Sequence, residues 1–349
     1  MAATMKALWY SGPQNYEIKE VPIPDIGDDD VLLKVDYCGV CGTDQHIHNG
    51  EFISKFPLIP GHEIVGHVHK MGKNVKGLSI GDNCVVDNTV LCNTCFFCRR
   101  DNDLFCEDLG SLGVTMHGGF AEYVCVHGSK TYPFLNISPI SATLIEPAAC
   151  AMHGMDKLAC TPGVEALLLG AGPTGLILAQ LLKLNGAARV VIAAHTGVKM
   201  DIAKRLGVAD EYVEIQRGGG GDVAAAQWGK LREENKYGFD VVVEATGVES
   251  VANESINFVR KGGKLMIYGV YDNDALVHWS PAKIFADEIT IIGSFAQTHT
   301  FPRAVLYLDS GKVKVDGIVT DVVPLTEYHK VFEKMTRERV TTMKVVVKP

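Results

Sequence analysis

The sequence lacks the long apolar runs of a membrane protein and the clustered lysines and arginines of a protein that binds nucleic acid. Its 349 residues include 33 Lys and Arg against 41 Asp and Glu, which gives a net charge of -8. The N-terminus MAATMKALWY contains no apolar stretch of signal-peptide length, and no segment is long and uncharged enough to span a bilayer. We therefore expect a cytoplasmic protein whose partner is a small molecule, with neither nucleic acid nor a membrane as a partner.

Cysteine, by contrast, is not scarce. The chain has ten cysteines, and in a reducing compartment clustered cysteines are more often metal ligands than disulfides. Four thiolates satisfy the tetrahedral coordination of zinc and leave no position for a substrate, so a structural zinc is predicted. An iron-sulfur cluster is the alternative for thiolates at such spacing. The four cysteines, in a lobe of residues 90–107, are Cys92, Cys95, Cys98 and Cys106.

The chain is too long for a typical single domain, and its pattern changes near residue 150. Residues 1–150 contain short extended segments separated by glycine and proline, which is typical of a β-rich domain without helices. In residues 151–296, apolar strands alternate with helices, which predicts an α/β fold with a doubly wound parallel sheet covered on both faces. The tail, residues 297–349, is expected to return to the first domain. The stretch QRGGGGDVAAA is predicted to be a surface turn between a helix and a strand.

The motif GAGPTG follows the apolar strand VEALLL and opens the helix LILAQLLKL. In a dinucleotide-binding fold the first glycine permits a tight turn, the second lets the pyrophosphate approach the backbone, and the third lets the helix pack on the strand. The next strand ends about 20 residues on, as this fingerprint requires. The residues predicted to contact the cofactor at this turn are Gly170, Gly172, Pro173, Thr174 and Gly175.

The end of that next strand predicts which nicotinamide cofactor is used. An NAD-specific site has an acidic side chain there to bind the ribose 2′-hydroxyl, but this sequence has Ala194, His195 and Thr196. His195, Thr196 and the nearby Lys199 offer hydrogen bonds and positive charge to a 2′-phosphate. The sequence therefore predicts a preference for NADP(H). The alternative is an enzyme that also uses NAD(H), with Lys199 lying on a solvated helix face.

A third group of candidate residues is dispersed along the chain. Cys41 lies in CGVCGTDQHIH, His62 and Glu63 lie in PGHEIVG, and Glu146 lies in LIEPAACAMHG. A catalytic zinc needs a few protein ligands and one open position, and Cys, His and carboxylate side chains from separate segments suit it. Spacing alone leaves this grouping open.

The motifs GVCGTD, PGHEIVG, GGFAEYV, EPAACAMHG, GAGPTG and EATG, together with the four-cysteine lobe, occur here in one order. In these motifs the chain resembles the zinc-containing medium-chain dehydrogenase/reductase family, and within it the branch of polyol (sorbitol, xylitol, arabinitol) dehydrogenases. The resemblance covers essentially the whole chain. It implies a GroES-like catalytic domain, formed by the N-terminal part and the tail, and a Rossmann domain.

The resemblance also implies that Cys41 and His62 bind a catalytic zinc, with Glu146 at the metal and Glu63 as a ligand or a nearby carboxylate. Adjacent residues of an extended strand point to opposite faces, so His62 and Glu63 reach one metal only through a turn or a moving ligand. Asp44 either orients His62 through its other ring nitrogen or caps a turn.

The reaction implied by the resemblance is hydride transfer between a secondary alcohol and the nicotinamide ring, with zinc as the Lewis acid. Thr43 matches the family's relay hydroxyl, and His46 matches the histidine that carries the proton towards solvent. For His46 the alternative is a surface histidine in a loop.

The predicted activity is the interconversion of a sugar alcohol and its ketose with NADP(H), in a chain that holds two zinc ions. L-threonine 3-dehydrogenase and a general secondary-alcohol dehydrogenase are the alternative enzymes. A non-catalytic sensor that binds zinc and a nucleotide is the alternative from a different class. We also expect a homo-oligomer, either a tetramer or a dimer.

Overall fold

The computed structural model describes residues 3–51, 53–216, 220–338 and 340–349, and of residues 220–224 the main chain alone. The chain divides into two compact units. The first consists of Met1–Ala149 together with Gln297–Pro349, and the second of Cys150–Ala296.

The strands, in chain order, are β1 (Thr4–Gly12), β2 (Asn15–Pro22), β3 (Asp30–Gly39), β4 (Glu63–Met71), β5 (Asn83–Val86), β6 (Thr89–Val90), β7 (Gly110–Ser111), β8 (Tyr123–His127), β9 (Thr131–Pro133), β10 (Glu165–Leu169), β11 (Arg189–His195), β12 (Glu211–Ile215), β13 (Phe239–Glu244), β14 (Val259–Ile267), β15 (Thr290–Gly293), β16 (Val319–Pro324) and β17 (Lys344–Lys348). The α-helices are α1 (Gly42–Asn49), α2 (Pro139–Ala142), α3 (Ile145–Leu158), α4 (Pro173–Leu184), α5 (Val198–Leu206), α6 (Gly220–Glu234), α7 (Glu249–Ser255), α8 (Pro281–Ala286), α9 (Phe301–Asp309) and α10 (His329–Thr336). Among the described helices, none combines the length and the apolar character that a membrane span requires.

The main sheet of the first unit has the strand order β16-β17-β3-β4-β5-β9, and β8 also pairs with β3. Its apolar side chains alternate along the strands and pack into one core that includes residues of β17 from the tail. At the end of β3, Gly39 is opposite Glu63 of β4 and also opposite Val346 of β17. Three segments far apart in sequence therefore meet at one end of this sheet.

Helix α1 corrects the prediction of an N-terminal domain without helices. Cys41 precedes the helix and Asp44 is its third residue, and Asp44 Oδ2 accepts a hydrogen bond from the main-chain N–H of Cys41 at 2.8 Å. This contact is half of a capping box, and Gly50 ends the helix in the left-handed conformation at φ 81°. The segment GTDQHIHN has almost no apolar periodicity, so its capping residues were the available signal. His46 therefore lies on a helix rather than in a loop.

The second unit contains the predicted parallel sheet, in the order β12-β11-β10-β13-β14-β15. All of its strand pairs are parallel. Residues 166–169 of β10 and residues 190–193 of β11 are buried, as expected of strands covered on both faces. The predicted α/β fold class is confirmed.

The glycine-rich stretch is a second correction. Residues 217–219 lie outside the described residues, but helix α6 begins at Gly220. In QRGGGGDVAAA, which is residues 216–226, the helix therefore includes everything from Gly220 onwards. The predicted turn is limited to the residues before Gly220. The run of glycines obscured the start of the helix, because glycine has low helix propensity.

Candidate active site

The structure brings together three of the four residues predicted to surround a catalytic metal. Cys41 Sγ, a ring nitrogen of His62 and a carboxylate oxygen of Glu63 all lie within 4.8 Å of one another. His62 and Glu63 are buried, and Cys41 is half-buried. Glu146, in the first turn of α3, is outside this set of mutually close atoms.

A turn explains how the adjacent residues His62 and Glu63 both reach this point. Gly61 has a φ of +91°, a conformation that favours glycine, and a Cβ there would lie 2.6 Å from the ring of Phe120. His62 follows that turn, and β4 starts only at Glu63. The two side chains are thus not on successive positions of one extended strand.

Lys344 is a site residue that the sequence analysis missed. Its Nζ lies 2.6 Å from Glu63 Oε1, and the two side chains are 6% and 1% exposed. Burial alone would lower the pKa of Lys344, but the negative charges of Glu63, Cys41 and Glu146 outweigh it and raise the pKa. Lys344 is therefore a buried cation. Lys344 is the first residue of the terminal strand KVVVK, and a lysine at the end of an apolar strand normally indicates a solvated strand end. The sequence therefore offered no signal for the contact of Lys344 with Glu63.

One buried atom of this cluster is left for a metal. Glu63 Oε2 has no hydrogen-bond partner among the described residues, because Lys344 binds the other oxygen of that carboxylate. Buried polar atoms are rarely left without a partner, and thiolate, imidazole and carboxylate together are a donor set that suits zinc. Burial lowers the pKa of His62, but the charges of Asp44, Cys41 and Glu146 outweigh it and leave the pKa well above its usual range. The site therefore favours positive charge, which a divalent cation supplies in place of the proton.

Asp44 caps helix α1 and lies near His62. Its Oδ2 caps helix α1, and its Oδ1 lies 3.9 Å from His62 Nδ1. The carboxylate is buried, and this desolvation raises its pKa despite the opposing effect of His62. Asp44 thus lies between the start of α1 and the imidazole of His62.

Thr43 and His46 lie on the same helix. Thr43 Oγ1 is 3.6 Å from Cys41 Sγ, which places a hydroxyl beside the cluster. His46 Nδ1 lies 2.8 Å from Glu51 Oε2, and 18% of its side chain is exposed. The helix therefore presents one hydroxyl near the cluster and one imidazole with access to solvent.

The four cysteines of the lobe form a second cluster. All four sulfur atoms lie within 4.8 Å of one another. Main-chain N–H groups donate to these sulfurs, for example those of Thr94 and Cys95 to Cys92 Sγ at 3.5 and 3.3 Å. These hydrogen bonds lower the pKa of Cys92 to about 6. A thiolate is the form that binds a metal, so Cys92 is prepared for coordination, whereas burial raises the pKa of Cys98 to about 12.

In the second unit the turn between β10 and α4 has the geometry of a phosphate-binding turn. Gly170 has a φ of +112°, and a Cβ on Gly175 would lie 2.6 Å from Gly170 O. Among the described residues, no atom lies within 4 Å of where a Cβ on Gly172 would be, and no side chain caps the start of α4. Pro173 and Thr174 are the first two residues of that helix. Its N–H groups are thus available to an anion.

The residues predicted to recognise the 2′-phosphate lie at the end of β11 and the start of α5. His195 is exposed, and its Nδ1 lies 3.2 Å from the carbonyl oxygen of Ile215. Ala194, Thr196 and Lys199 are half-buried. The positions from 194 to 199 include no carboxylate, so nothing in this segment repels a phosphate.

Comparison with known proteins agrees with this geometry. Residues 27–136 match the model of the alcohol dehydrogenase GroES-like domain, and residues 173–310 match that of the zinc-binding dehydrogenases. D-arabinitol dehydrogenase 1 of Uromyces fabae is 56% identical over 349 residues, which are 100% of this chain and 98% of the relative. D-altritol 5-dehydrogenase of Agrobacterium fabrum is 32% identical over 333 residues, which are 94% and 95% of the two chains.

A solved structure agrees as well. A zinc-binding dehydrogenase of Sinorhizobium meliloti, crystallised with NADP, superposes with a TM-score of 0.85 at 29% sequence identity, over 99% of this chain and 100% of the other. Fold and overall identity therefore agree along nearly the whole sequence. The resemblance drawn from the motifs is confirmed, and the chain belongs to the zinc-containing medium-chain dehydrogenase/reductase family, in its polyol dehydrogenase branch.

Proposed function

We propose that this enzyme interconverts a secondary alcohol of a sugar alcohol and the corresponding ketose, with transfer of a hydride to or from NADP(H). The observation that carries the proposal is the buried cluster of Cys41, His62 and Glu63, with Lys344 paired to Glu63. The relative with 56% identity acts, by its name, on the five-carbon polyol D-arabinitol. That relative supports a polyol as the substrate class.

Cys41 and His62 would hold a catalytic zinc, with Glu63 and Glu146 as the carboxylates at the metal. Zinc bound there supplies Lewis acidity, which lowers the pKa of an alcohol hydroxyl. The two positive charges of zinc and the one of Lys344 would offset the negative charges of the Cys41 thiolate, Glu63 and Glu146. Pairing these charges reduces the cost of removing them from water.

Residues of helix α1 would carry the proton of the substrate hydroxyl to solvent. Thr43 Oγ1, beside Cys41 Sγ, would receive the proton of the substrate hydroxyl. His46 Nδ1, paired with Glu51 and partly exposed, would pass it on to solvent. Asp44 would hold His62 through the ring nitrogen that faces it, an arrangement common around metal-bound histidines.

The four-cysteine lobe would hold the second, structural zinc. Its four sulfurs fill a tetrahedral coordination sphere and leave no position for substrate. The cofactor would bind with its pyrophosphate at the start of α4 and, if it is NADP(H), with its 2′-phosphate near His195, Thr196 and Lys199. The NADP in the Sinorhizobium meliloti relative supports that preference.

We also propose that the chain forms a homo-oligomer, either a dimer or a tetramer, through the free edge of β15. Ile291 on this strand is 39% exposed and the nearby Phe285 is 86% exposed. A short apolar edge strand without a charge or a proline lacks the usual protection against pairing, and a second copy would cover it across a two-fold axis.

The first test of the proposed function measures initial rates of NADP and NAD reduction with arabinitol, sorbitol, xylitol, L-threonine and primary alcohols. We expect turnover of at least one polyol, with the highest kcat/KM for NADP. Turnover of threonine alone would assign the chain to the alternative dehydrogenase. Absence of any turnover by protein that holds two zinc ions would favour the non-catalytic sensor.

The two metal sites should be separable by mutation. Wild-type protein is expected to bind two zinc ions per chain, and Cys41→Ser should retain one, melt at nearly the same temperature and lose about a thousandfold or more in kcat. Cys95→Ser should also retain one zinc, but the lobe should become sensitive to limited proteolysis. Elemental analysis by mass spectrometry counts the ions. Iron in the lobe, or one zinc in the wild type, would contradict the two-zinc proposal.

A single carboxylate introduced at residue 194 should shift the preference from NADP(H) towards NAD(H). Ala194→Asp places an anion at the end of β11, where it repels a 2′-phosphate and binds a ribose 2′-hydroxyl. We expect the ratio of kcat/KM for NADP to that for NAD to fall by about a hundredfold. The matched control is Ala194→Asn, which has the same shape without the charge and should change the ratio much less. A wild type that clearly prefers NAD would refute the NADP(H) proposal.

The assembly should depend on the edge of β15. Light scattering of the wild type should give two or four chain masses, and Ile291→Lys should lower the mass by charging the strand that pairs. Val322→Lys is the control, because Val322 is also exposed, at 44%, but lies on β16. A monomeric wild type would contradict the proposal.

A further inference from the structure

The EATG motif places a buried carboxylate, Glu244, at the end of β13, and the proposed reaction does not use it. The side chain is 0% exposed, and no Lys, Arg or His of the described residues is paired with it. Its oxygens accept hydrogen bonds from the N–H of Thr246 at 2.8 Å, from the N–H of Gly247 at 3.2 Å, and from the hydroxyls of Thr246 and Tyr271. Burial, and next the contact with Glu244, raise the pKa of Tyr271, so its hydroxyl keeps its proton and donates it.

These contacts join two loops at the carboxyl edge of the sheet, the β13 loop (residues 245–248) and the β14 loop (residues 268–271). Glu244 O accepts hydrogen bonds from the N–H groups of Tyr268 and Gly269 at 2.9 and 3.0 Å. A Cβ on Gly247 would lie 2.2 Å from Val270 O, and one on Gly269 would lie 2.3 Å from Gly247 N. The two loops therefore pack backbone against backbone, with the carboxylate of Glu244 between them.

The β13 loop also packs against the phosphate-binding turn. The N–H of Ala245 donates to Leu169 O at 2.9 Å. Thr246 Cγ2 and Ala245 O lie 3.0 and 3.1 Å from the position that a Cβ on Gly170 would occupy. The loop that Glu244 holds thus packs against Gly170, the first glycine of GAGPTG.

Glu244 lies at the point of the sheet where a dinucleotide binds. From β10 the chain adds β11 and β12 on one side, and β13, β14 and β15 on the other, so the strand order reverses between β10 and β13. In such sheets the pyrophosphate lies at the helix after the first strand, and the adenosine ribose lies at the end of the second. The nicotinamide half then belongs on the side of β13 and β14, where the two loops joined by Glu244 lie.

We propose that Glu244 is a positioning residue for the nicotinamide half of the cofactor, and that its buried negative charge strengthens binding of the oxidised cofactor more than binding of the reduced one. The inference rests on the proposed use of a nicotinamide cofactor. A carboxylate buried without a cation is costly even when fully hydrogen-bonded. The oxidised nicotinamide ring is positively charged and the reduced ring is neutral, so only the oxidised ring compensates that charge. A residue that only held the loops together would need an acceptor but no net charge.

The test measures dissociation constants for the oxidised and reduced forms of the preferred cofactor by calorimetry, with no alcohol present. Glu244→Gln is expected to raise Kd for the oxidised form about tenfold more than Kd for the reduced form. Tyr271→Phe keeps the charge but loses one loop contact, so it should raise both constants by a similar, smaller factor. Tyr237→Phe is the control, because Tyr237 lies in the same unit and is 77% exposed. Zinc content and circular dichroism establish that each variant is folded.

Equal weakening of both cofactor forms by Glu244→Gln would overturn the role of the charge, and unchanged constants in Tyr271→Phe would overturn the positioning role. If Glu244→Gln does not fold, Glu244→Asp replaces it: a charge role requires that this variant preserve the wild-type ratio of the two constants. These outcomes do not depend on which alcohol is the substrate. A wild type that binds neither cofactor form would instead refute the proposed function, and the inference with it.

Discussion

The pairing of β3 with both β4 and β17 is the constraint on which the candidate metal site depends. It brings the end of β3, the start of β4 and the start of β17 to one place, although they are separated by up to about three hundred residues of chain. Cys41 follows the first of these segments, Glu63 begins the second and Lys344 begins the third. Without the tail in this sheet, Glu63 would be a buried carboxylate without its cation.

Buried charge requires compensation at each of the sites described. In the first unit Lys344 compensates one carboxylate oxygen of Glu63, while the other has no partner among the described residues. In the second unit hydroxyls and main-chain N–H groups surround Glu244 without supplying a positive charge. Removing charged groups from water is costly, so such arrangements persist where a partner or a ligand offsets the cost. The two sites differ in that the first suits a metal ion and the second suits a cationic ring.

Glycine allows the close backbone approaches on which both units rely. In the first unit the turn at Gly61 sets His62 apart from β4, so that His62 and Glu63 face one point. In the second unit Gly170, Gly247 and Gly269 let the phosphate-binding turn and the two neighbouring loops pack against one another. In each case a side chain would collide with neighbouring atoms, so the absence of a Cβ is what forms the site.

The amino-acid sequence by itself determined the features that depend on local pattern. The four cysteines lie within fifteen residues, and GAGPTG lies between an apolar strand and a helix, so the four-cysteine cluster, the glycine turn and the parallel sheet were predictable. The motif order identified the family. The helix α1 was missed because its eight residues bury little besides Ile47, which leaves no apolar stripe to detect. Only the tertiary structure decided the contacts of Glu63 with Lys344 and of Glu244 with Tyr271. The first contact joins two strands, and the second joins the end of a strand to a loop. Which residues meet depends on sheet register and loop packing, neither of which leaves a periodic signal in the chain.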